Sequence, residues 1–300
     1  MPGNLVMLTA AYGTREAAGN PGEVAMEVTG SALVTGASRG IGRAIALELA
    51  ARGFDVVATM RNPDDGADLT DAAAALGGRL RVQRLDVTDP TTYAVPNDLQ
   101  VLVNNAGIEF DYVPVEHSPV SMWRAMFDTN VFGLLELTQQ AIPALRANGG
   151  GVICNLTSSS ILAPMPFYAA YRASKAAVSV LGESLRSELA PFNIRVVEIM
   201  PGPIDTDMFQ GSKRPLEAGQ YAEYRAMAEK VQVTKQQGAD NMVTSTADAA
   251  AAIGDAIFDD DGPLRYGCDP LAVGMIDGWR QTSDEEWMRM MMGAFAPDAS

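Results

Sequence analysis

Three glycines, Gly36, Gly40 and Gly42, stand between a short apolar run and an amphipathic one, and this junction limits the fold more than any other feature. Ser31-Ala32-Leu33-Val34-Thr35-Gly36 reads as a buried strand that ends in a turn. Ile41 to Arg52 reads as a helix, with Ile41, Ile45 and Leu49 at helical spacing. Gly36 permits the tight turn, Gly40 lets backbone approach a pyrophosphate, and Gly42 allows close helix–strand packing. Free N–H groups at the helix start then face phosphate oxygens. Ser38, Arg39 and Ile41 complete this candidate phosphate loop. Glycine triplets alone are weak signals; the flanking strand and helix are the context that gives this one weight.

The same alternation continues along the chain. Strands are expected at Phe54–Met60, Leu80–Leu85, Val101–Val103, Gly151–Thr157 and Ile194–Met200, with a last short one at Arg265-Tyr266-Gly267. Helices are expected at Pro119–Ala147, Tyr168–Leu189 and Thr246–Phe258. Strands alternating with helices predict an α/β fold, a single doubly wound parallel sheet (Rossmann fold) with helices on both faces. The polar stretch 203–245 breaks the rhythm, and Gln220 to Val233 within it looks like an amphipathic helix. A long excursion at the carboxyl edge of a sheet reads as a substrate lid. Residues 1–29 read as a poorly ordered arm, 30–300 as one domain, and 283–300 as a Met-rich tail that packs on its own domain, on a cleft or on another subunit.

The formal net charge is −15, which argues against nucleic acid or an anionic membrane surface as partner. Two cysteines, Cys154 and Cys268, are too few for a disulfide framework or a zinc site, and the single histidine, His117, excludes a histidine metal cluster. No metal site is expected. No apolar run reaches membrane-spanning length, and a cytoplasmic location is expected.

Tyr171 and Lys175 lie four residues apart and point the same way from one helix face. An ammonium beside a phenol is expected to lower the phenol's pKa and bring it into use for proton transfer. The second strand, Asp55 to Met60, ends without a carboxylate, and Arg61 follows. An acid there would hold an adenosine ribose; Arg61, with Arg39, instead suits a 2′-phosphate. NADP (NADPH) is therefore expected over NAD.

In several motifs at once the chain resembles a short-chain dehydrogenase/reductase of the single-domain type, from about Ser31 to Thr206, with a looser similarity to the 17β-hydroxysteroid dehydrogenase-like subgroup. The glycine loop resembles the family's Thr-Gly-x-x-x-Gly-x-Gly, Asp86-Val87 its adenine-touching pair, and Asn104-Asn105-Ala106-Gly107 its turn after the fourth strand. Asn130, Ser158, Tyr171 and Lys175 stand where the family keeps a catalytic tetrad, and Pro201-Gly202, with Ile204 and Thr206, resembles the loop that grips the nicotinamide carboxamide. The resemblance implies Tyr171 as general acid or base and Ser158 as the holder of the substrate oxygen. It implies Asn130 as the holder of a water leading to Lys175, and contacts of Tyr171 and Lys175 with the cofactor ribose. It also implies a homodimer or homotetramer.

Two features depart from the family pattern. Pro90 and Pro96 must trim the helix usually found between Asp86 and Val101. The carboxyl end lacks the common Val-Asp-Gly-Gly. Apolar residues near the cleft (Ile108, Phe110, Tyr112, Ile161, Leu162, Phe167) and the lack of clustered cations point to a small hydrophobic ketone or secondary alcohol as substrate. The alternatives are a ketoacyl-thioester reductase and a non-catalytic NADP(H)-binding sensor.

Overall fold

The computed structural model describes residues 26–212 and 214–295. Seven strands form one parallel sheet, ordered β3-β2-β1-β4-β5-β6-β7. They are β1 (Ser31–Val34), β2 (Asp55–Met60), β3 (Arg79–Arg84), β4 (Leu99–Asn104), β5 (Gly151–Leu156), β6 (Ile194–Ile199) and β7 (Arg265–Tyr266). Alternate side chains of each strand enter opposite cores, as the period of two requires. Val34, Ala58, Val103 and Cys154 meet Ile45 and Leu49 of α1 (Gly40–Ala51) on one face. Leu33, Val57, Leu102 and Ile153 meet Leu137, Leu145 and Leu185 on the other. The order in which successive strands are added reverses between β1 and β4, and the crevice at their carboxyl ends is where such sheets bind ligands.

The region expected as one helix from Pro119 is α3 (Val120–Phe127), a π-helical turn (Asp128–Gly133) and α4 (Leu134–Ala147) in series. Packing leaves no room for a side chain in this turn: a Cβ on Gly133 would lie 2.3 Å from the Val87 carbonyl oxygen. Between Asp86 and Val101 only one 3₁₀ turn survives, Pro90–Thr92, in keeping with the two prolines. Tyr93 helps cover the gap by donating its hydroxyl to the Val87 carbonyl at 2.6 Å.

Periodicity placed the helix Tyr168–Leu189 well; it is α5 (Ala169–Leu189), here preceded by α2 (Leu69–Ala75), which the sequence reading missed. Within 203–245 the chain forms α6 (Asp207–Ser212) and α7 (Arg225–Met242), so the amphipathic helix begins later and runs longer than Gln220–Val233. α8 (Thr246–Phe258) is as expected, and α9 (Pro270–Gln281) was not anticipated.

The Met-rich segment forms α10 (Asp284–Phe295) and packs on its own domain. Trp287 and Met291 are buried, and the Trp287 indole donates to the Leu162 carbonyl at 2.5 Å. Residues 296–300 of that tail, and the expected arm up to residue 25, lie outside the described residues. Met26 to Thr29 are described, and the Gln100 amide ties down Glu27, Thr29 and Gly30. Among the described residues, no helix is long and apolar enough to cross a membrane, and no group of side chains is arranged to hold a metal ion.

Candidate active site

The glycine loop leaves β1 with Gly36 and Gly40 in the left-handed region, at φ +66° and +57°. A side chain at either position would strain the backbone. At Gly42 space is the limit: a Cβ would sit 2.3 Å from Asn105 Nδ2 and 2.4 Å from the Gly36 oxygen. Arg39, the residue before α1, makes no side-chain cap, so the first N–H groups of that helix face the cleft uncapped.

Asn105 and Ala106, expected against the cofactor, brace this loop. The Asn105 amide donates to the carbonyls of Thr35 and Gly36 at 2.8 and 3.1 Å. The backbone N–H groups of Asn105 and Ala106 both reach Thr35 Oγ1 at 3.0 Å. Across the cleft, a Cβ on Gly40 would lie 3.3 Å from Thr206 Cγ2, so the glycine loop and the 201–206 loop form its two walls. Ile204 is buried and bridges to Thr244. Asp86 accepts from Thr88 at 2.9 and 2.8 Å, and Val87 is buried beside it.

Asp269 is a site residue that the sequence reading missed. It is buried, accepts the Gly202 N–H at 2.6 Å and caps α9 through the Ala272 N–H at 2.9 Å. Burial pushes its carboxyl above the usual range, while the backbone hydrogen bonds oppose that. Asp269-Pro270 is a helix-start signature, with Pro at the first helical position. Nothing local indicated that it would hold a loop 67 residues away.

Ser158 follows β5. Its Oγ accepts from the Ser160 N–H at 3.2 Å, and Ser158 draws the Tyr171 phenol's pKa down. Lys175 is buried, donates to the Leu156 carbonyl at 2.9 Å and lies 5.9 Å from the centre of the Tyr171 ring. A Cβ on Gly107 would fall 3.3 Å from Asn130 Oδ1 and 3.4 Å from Lys175 Nζ, which brings all these groups to one point. Asn130 occupies the π-helical turn. Its amide accepts from the Ile108 N–H at 2.8 Å and donates to the Ile108 carbonyl at 2.9 Å and to Ser174 Oγ at 3.1 Å. These contacts make the side chain a brace for Ile108.

The electrostatics correct one expectation. Burial pushes the Tyr171 phenol up, Glu109 adds to the rise, and only Ser158 opposes it. The nearby ammonium does not win, because the same burial pushes Lys175 down to about 8. Desolvation of both groups outweighs their proximity.

Other side chains set the shape of the cleft. Tyr168 is a wall, stacked on Tyr112 with ring centres 3.9 Å apart. Arg172 clasps the serine turn through the carbonyls of Ser160 and Ile161 at 2.8 and 3.2 Å. The 203–245 excursion closes over this side: Tyr221 stacks on His117 at 3.9 Å, and Tyr224 meets Phe167 edge-on at 5.9 Å. Phe167 itself has φ +71°, strain that these contacts hold in place.

A parallel sheet with a phosphate loop at its switch point, and a Ser–Tyr–Lys group at the mouth of the same crevice, define a dinucleotide-dependent oxidoreductase architecture. Residues 31–217 match the short chain dehydrogenase family model, and the chain belongs to that family. It is an oxidoreductase acting on CH–OH or C=O groups. Among its relatives, the uncharacterized oxidoreductase YusZ of Bacillus subtilis is 39% identical over 60% of this chain and 67% of its own. A solved short chain dehydrogenase from Burkholderia cenocepacia, in complex with NADP, superposes with a TM-score of 0.70 at 27% identity, covering 91% of this chain and 100% of its own. A 7α-hydroxysteroid dehydrogenase complexed with NADH and 7-oxo glycochenodeoxycholic acid superposes with a TM-score of 0.65 at 28% identity, covering 79% and 91%.

Proposed function

We propose that this chain is an NADP(H)-dependent oxidoreductase that interconverts a hydrophobic ketone and a secondary alcohol. The observation that carries this is the convergence of Tyr171, Ser158 and a buried Lys175, its Nζ 5.9 Å from the Tyr171 ring centre, at the mouth of the glycine-loop cleft. The residues present fit a dinucleotide: left-handed glycines leave a cradle that a Cβ would strain, and an uncapped helix start faces it. When bound, the dinucleotide supplies or accepts the hydride. The Tyr171 hydroxyl gives its proton to the substrate oxygen in reduction, and Ser158 hydrogen-bonds the same oxygen as its charge grows. A phenol that burial keeps protonated suits the acid of the reductive direction. Asn130 holds Ile108, and through it the turn facing Lys175. The 203–245 excursion acts as the lid. Phe132 and Val180, exposed at 51% and 61% on the helices flanking the tetrad, are proposed contacts of a homodimer or homotetramer.

The phosphorylated dinucleotide is favoured by Arg61, which is exposed, pairs with no described side chain and follows β2 where an acid would otherwise stand. Arg84 ends β3 in register with Met60, one residue before it. Arg39 is shared with Asp207, 3.9 Å away, and supports the choice less. A solved relative bound to NADP and another bound to NADH leave both dinucleotides within the fold's reach. Arg61→Ala is expected to weaken NADPH binding about tenfold, the worth of one charge-assisted contact, and to leave NADH nearly unchanged. Fluorescence titration with both dinucleotides reads this; equal loss for both would remove the Arg61 argument. An NADPH-oxidation screen over bulky ketones, steroids and acyl thioesters tests the reaction. The thioester reading requires a basic docking face, which a chain of formal charge −15 does not favour. Turnover of thioesters alone would decide for it.

A further inference from the structure

We infer that Glu198 is a positioning residue for the proton-transfer group: its carboxylate joins the strand end that leads into Ser158 to the helix that carries Tyr171 and Lys175. This rests on the hydride-transfer reading above and adds to that same site a residue acting from beneath it.

Glu198 is buried in β6, a carboxylate among the apolar residues Val196, Val197 and Ile199. Val196 and Glu198 share the sheet face that α5 covers. The two carboxylate oxygens go to different elements. Oε1 accepts the Thr157 hydroxyl at 2.7 Å, just past the end of β5 and one residue before Ser158. Oε2 accepts the Ser179 hydroxyl at 2.9 Å, on α5 and one helical turn beyond Lys175. Thr157 and Ser179 are themselves buried. Arg265 of β7 meets the charge: its Nε lies 3.1 Å from Oε2, and its guanidinium also donates to Ser179 at 3.2 Å and pairs with Glu183. Burial pushes the Glu198 carboxyl up, and Thr157, Arg265 and Ser179 pull it back.

Backbone bonds fasten the serine turn to β6: the Thr157 N–H reaches the Ile199 carbonyl at 2.8 Å and the Ser159 N–H the Pro201 carbonyl at 3.0 Å. They leave open where α5 sits along the sheet. Leu185 and Leu189 of α5 pack there on Ile194 and Val196, but apolar attraction is non-directional and fixes axial position poorly. Directional bonds set it. Lys175 Nζ donates to the Leu156 carbonyl at 2.9 Å, and one turn on Ser179 donates to Glu198. Leu156, Thr157 and Ser158 are consecutive, so one carboxylate and one carbonyl hold the Tyr171–Lys175 turn of the helix against the residue that must act with it. Misplacing a reacting group by about 1 Å can cost ~10²-fold in rate. A buried ion pair adds little stability over well-packed apolar groups of the same volume, so directional hold is what the Glu198 carboxylate contributes.

The test compares the wild type with Glu198→Leu, Glu198→Gln, Thr157→Val and Ser179→Ala. The readout is the single-turnover rate of NADPH oxidation on 2-decalone or a steroid 17-ketone, whichever the wild type reduces, well below the melting temperature. NADPH affinity and Tm are measured on the same preparations. Glu198→Leu should slow the hydride step about tenfold or more and leave NADPH affinity within about threefold. Glu198→Gln should stay within about threefold of the wild-type rate. Its amide oxygen takes the Ser179 and Arg265 donors, and its NH₂ donates to Thr157, whose own proton turns to the Ile199 carbonyl 3.2 Å away. A merely structural role would lower Tm and leave the rate of the folded protein alone. A folded Glu198→Leu at the wild-type rate, or a Glu198→Gln as slow as Glu198→Leu, would overturn the inference. Should Glu198→Leu fail to fold, Thr157→Val and Ser179→Ala decide, since each removes one arm of the tie. A step slowed about threefold or more in either supports the inference, and wild-type rates in both overturn it. If the wild type reduces no ketone with either dinucleotide, the hydride-transfer reading fails and this inference with it.

Discussion

Tyr171→Phe should lower kcat/KM for ketone reduction by about 10³-fold or more, the upper range for a positioned general acid. NADPH affinity should stay within about threefold. The substitution keeps the ring, so the wall it shares with Tyr168 and Met165 is preserved. It removes the hydroxyl of the phenol on which Ser158 acts and beside whose ring Lys175 lies. Tyr168 cannot take over: its ring is stacked on Tyr112, and burial raises its phenol as well. Steady-state kinetics and a dinucleotide titration on the same preparation separate the two effects. A variant that keeps a tenth of wild-type turnover would remove Tyr171 from the proposed role.

Lys175→Met should cost activity and add stability. The ammonium is held at about 8 against an ordinary 10.5 because burial opposes its charge. A folded-state pKa below the unfolded value means that folding releases a proton between pH 8 and 10.5. The lysine's destabilising effect is therefore fully present below pH 8 and fades as pH rises toward 10.5. Its size is roughly 3 kcal/mol, and losing the hydrogen bond to the Leu156 carbonyl gives back ~1 kcal/mol. The variant should melt about 5 °C higher than wild type at pH 6.5, and the gap should hold up to about pH 8 and narrow from there to pH 10. Activity should fall by at least about 10²-fold, since the charge beside Tyr171 is gone. Thermal melts across that pH range check the sign. A wild type more stable than the variant at pH 6.5, or a gap that ignores pH, would contradict it.

The contrast between these residues shows which parts of the site were legible in the sequence. Gly36, Gly40 and Gly42 were, because turn geometry is a local demand that a few residues must meet. The Tyr171 and Lys175 spacing was, because a helix repeats every few residues, whereas Ser158 stood out from its polar neighbours only through the family resemblance. The direction of the Tyr171 shift was not: the sequence shows the neighbouring cation but not the depth of burial, which decides the outcome. Asp269 was hidden because its partner, the Gly202 N–H, lies far away in the chain. The contact of Lys235 with the Tyr112 ring was hidden for the same reason. The π-helical turn at Asn130 depends on how closely α4 approaches Val87, a packing distance that no local pattern encodes. The two prolines at 90 and 96, by contrast, announced the missing helix, since proline acts on its own backbone.

Hydride transfer itself is the central claim, and label transfer tests it most directly. Bulky ketones would be incubated with the wild type and NADPH carrying deuterium at C4 of the nicotinamide, on each face in turn. The account predicts an alcohol with one deuterium on the carbinol carbon from one of the two labelled cofactors, and none from the other. An alcohol that gains no deuterium from either, or no alcohol from any ketone, would contradict it.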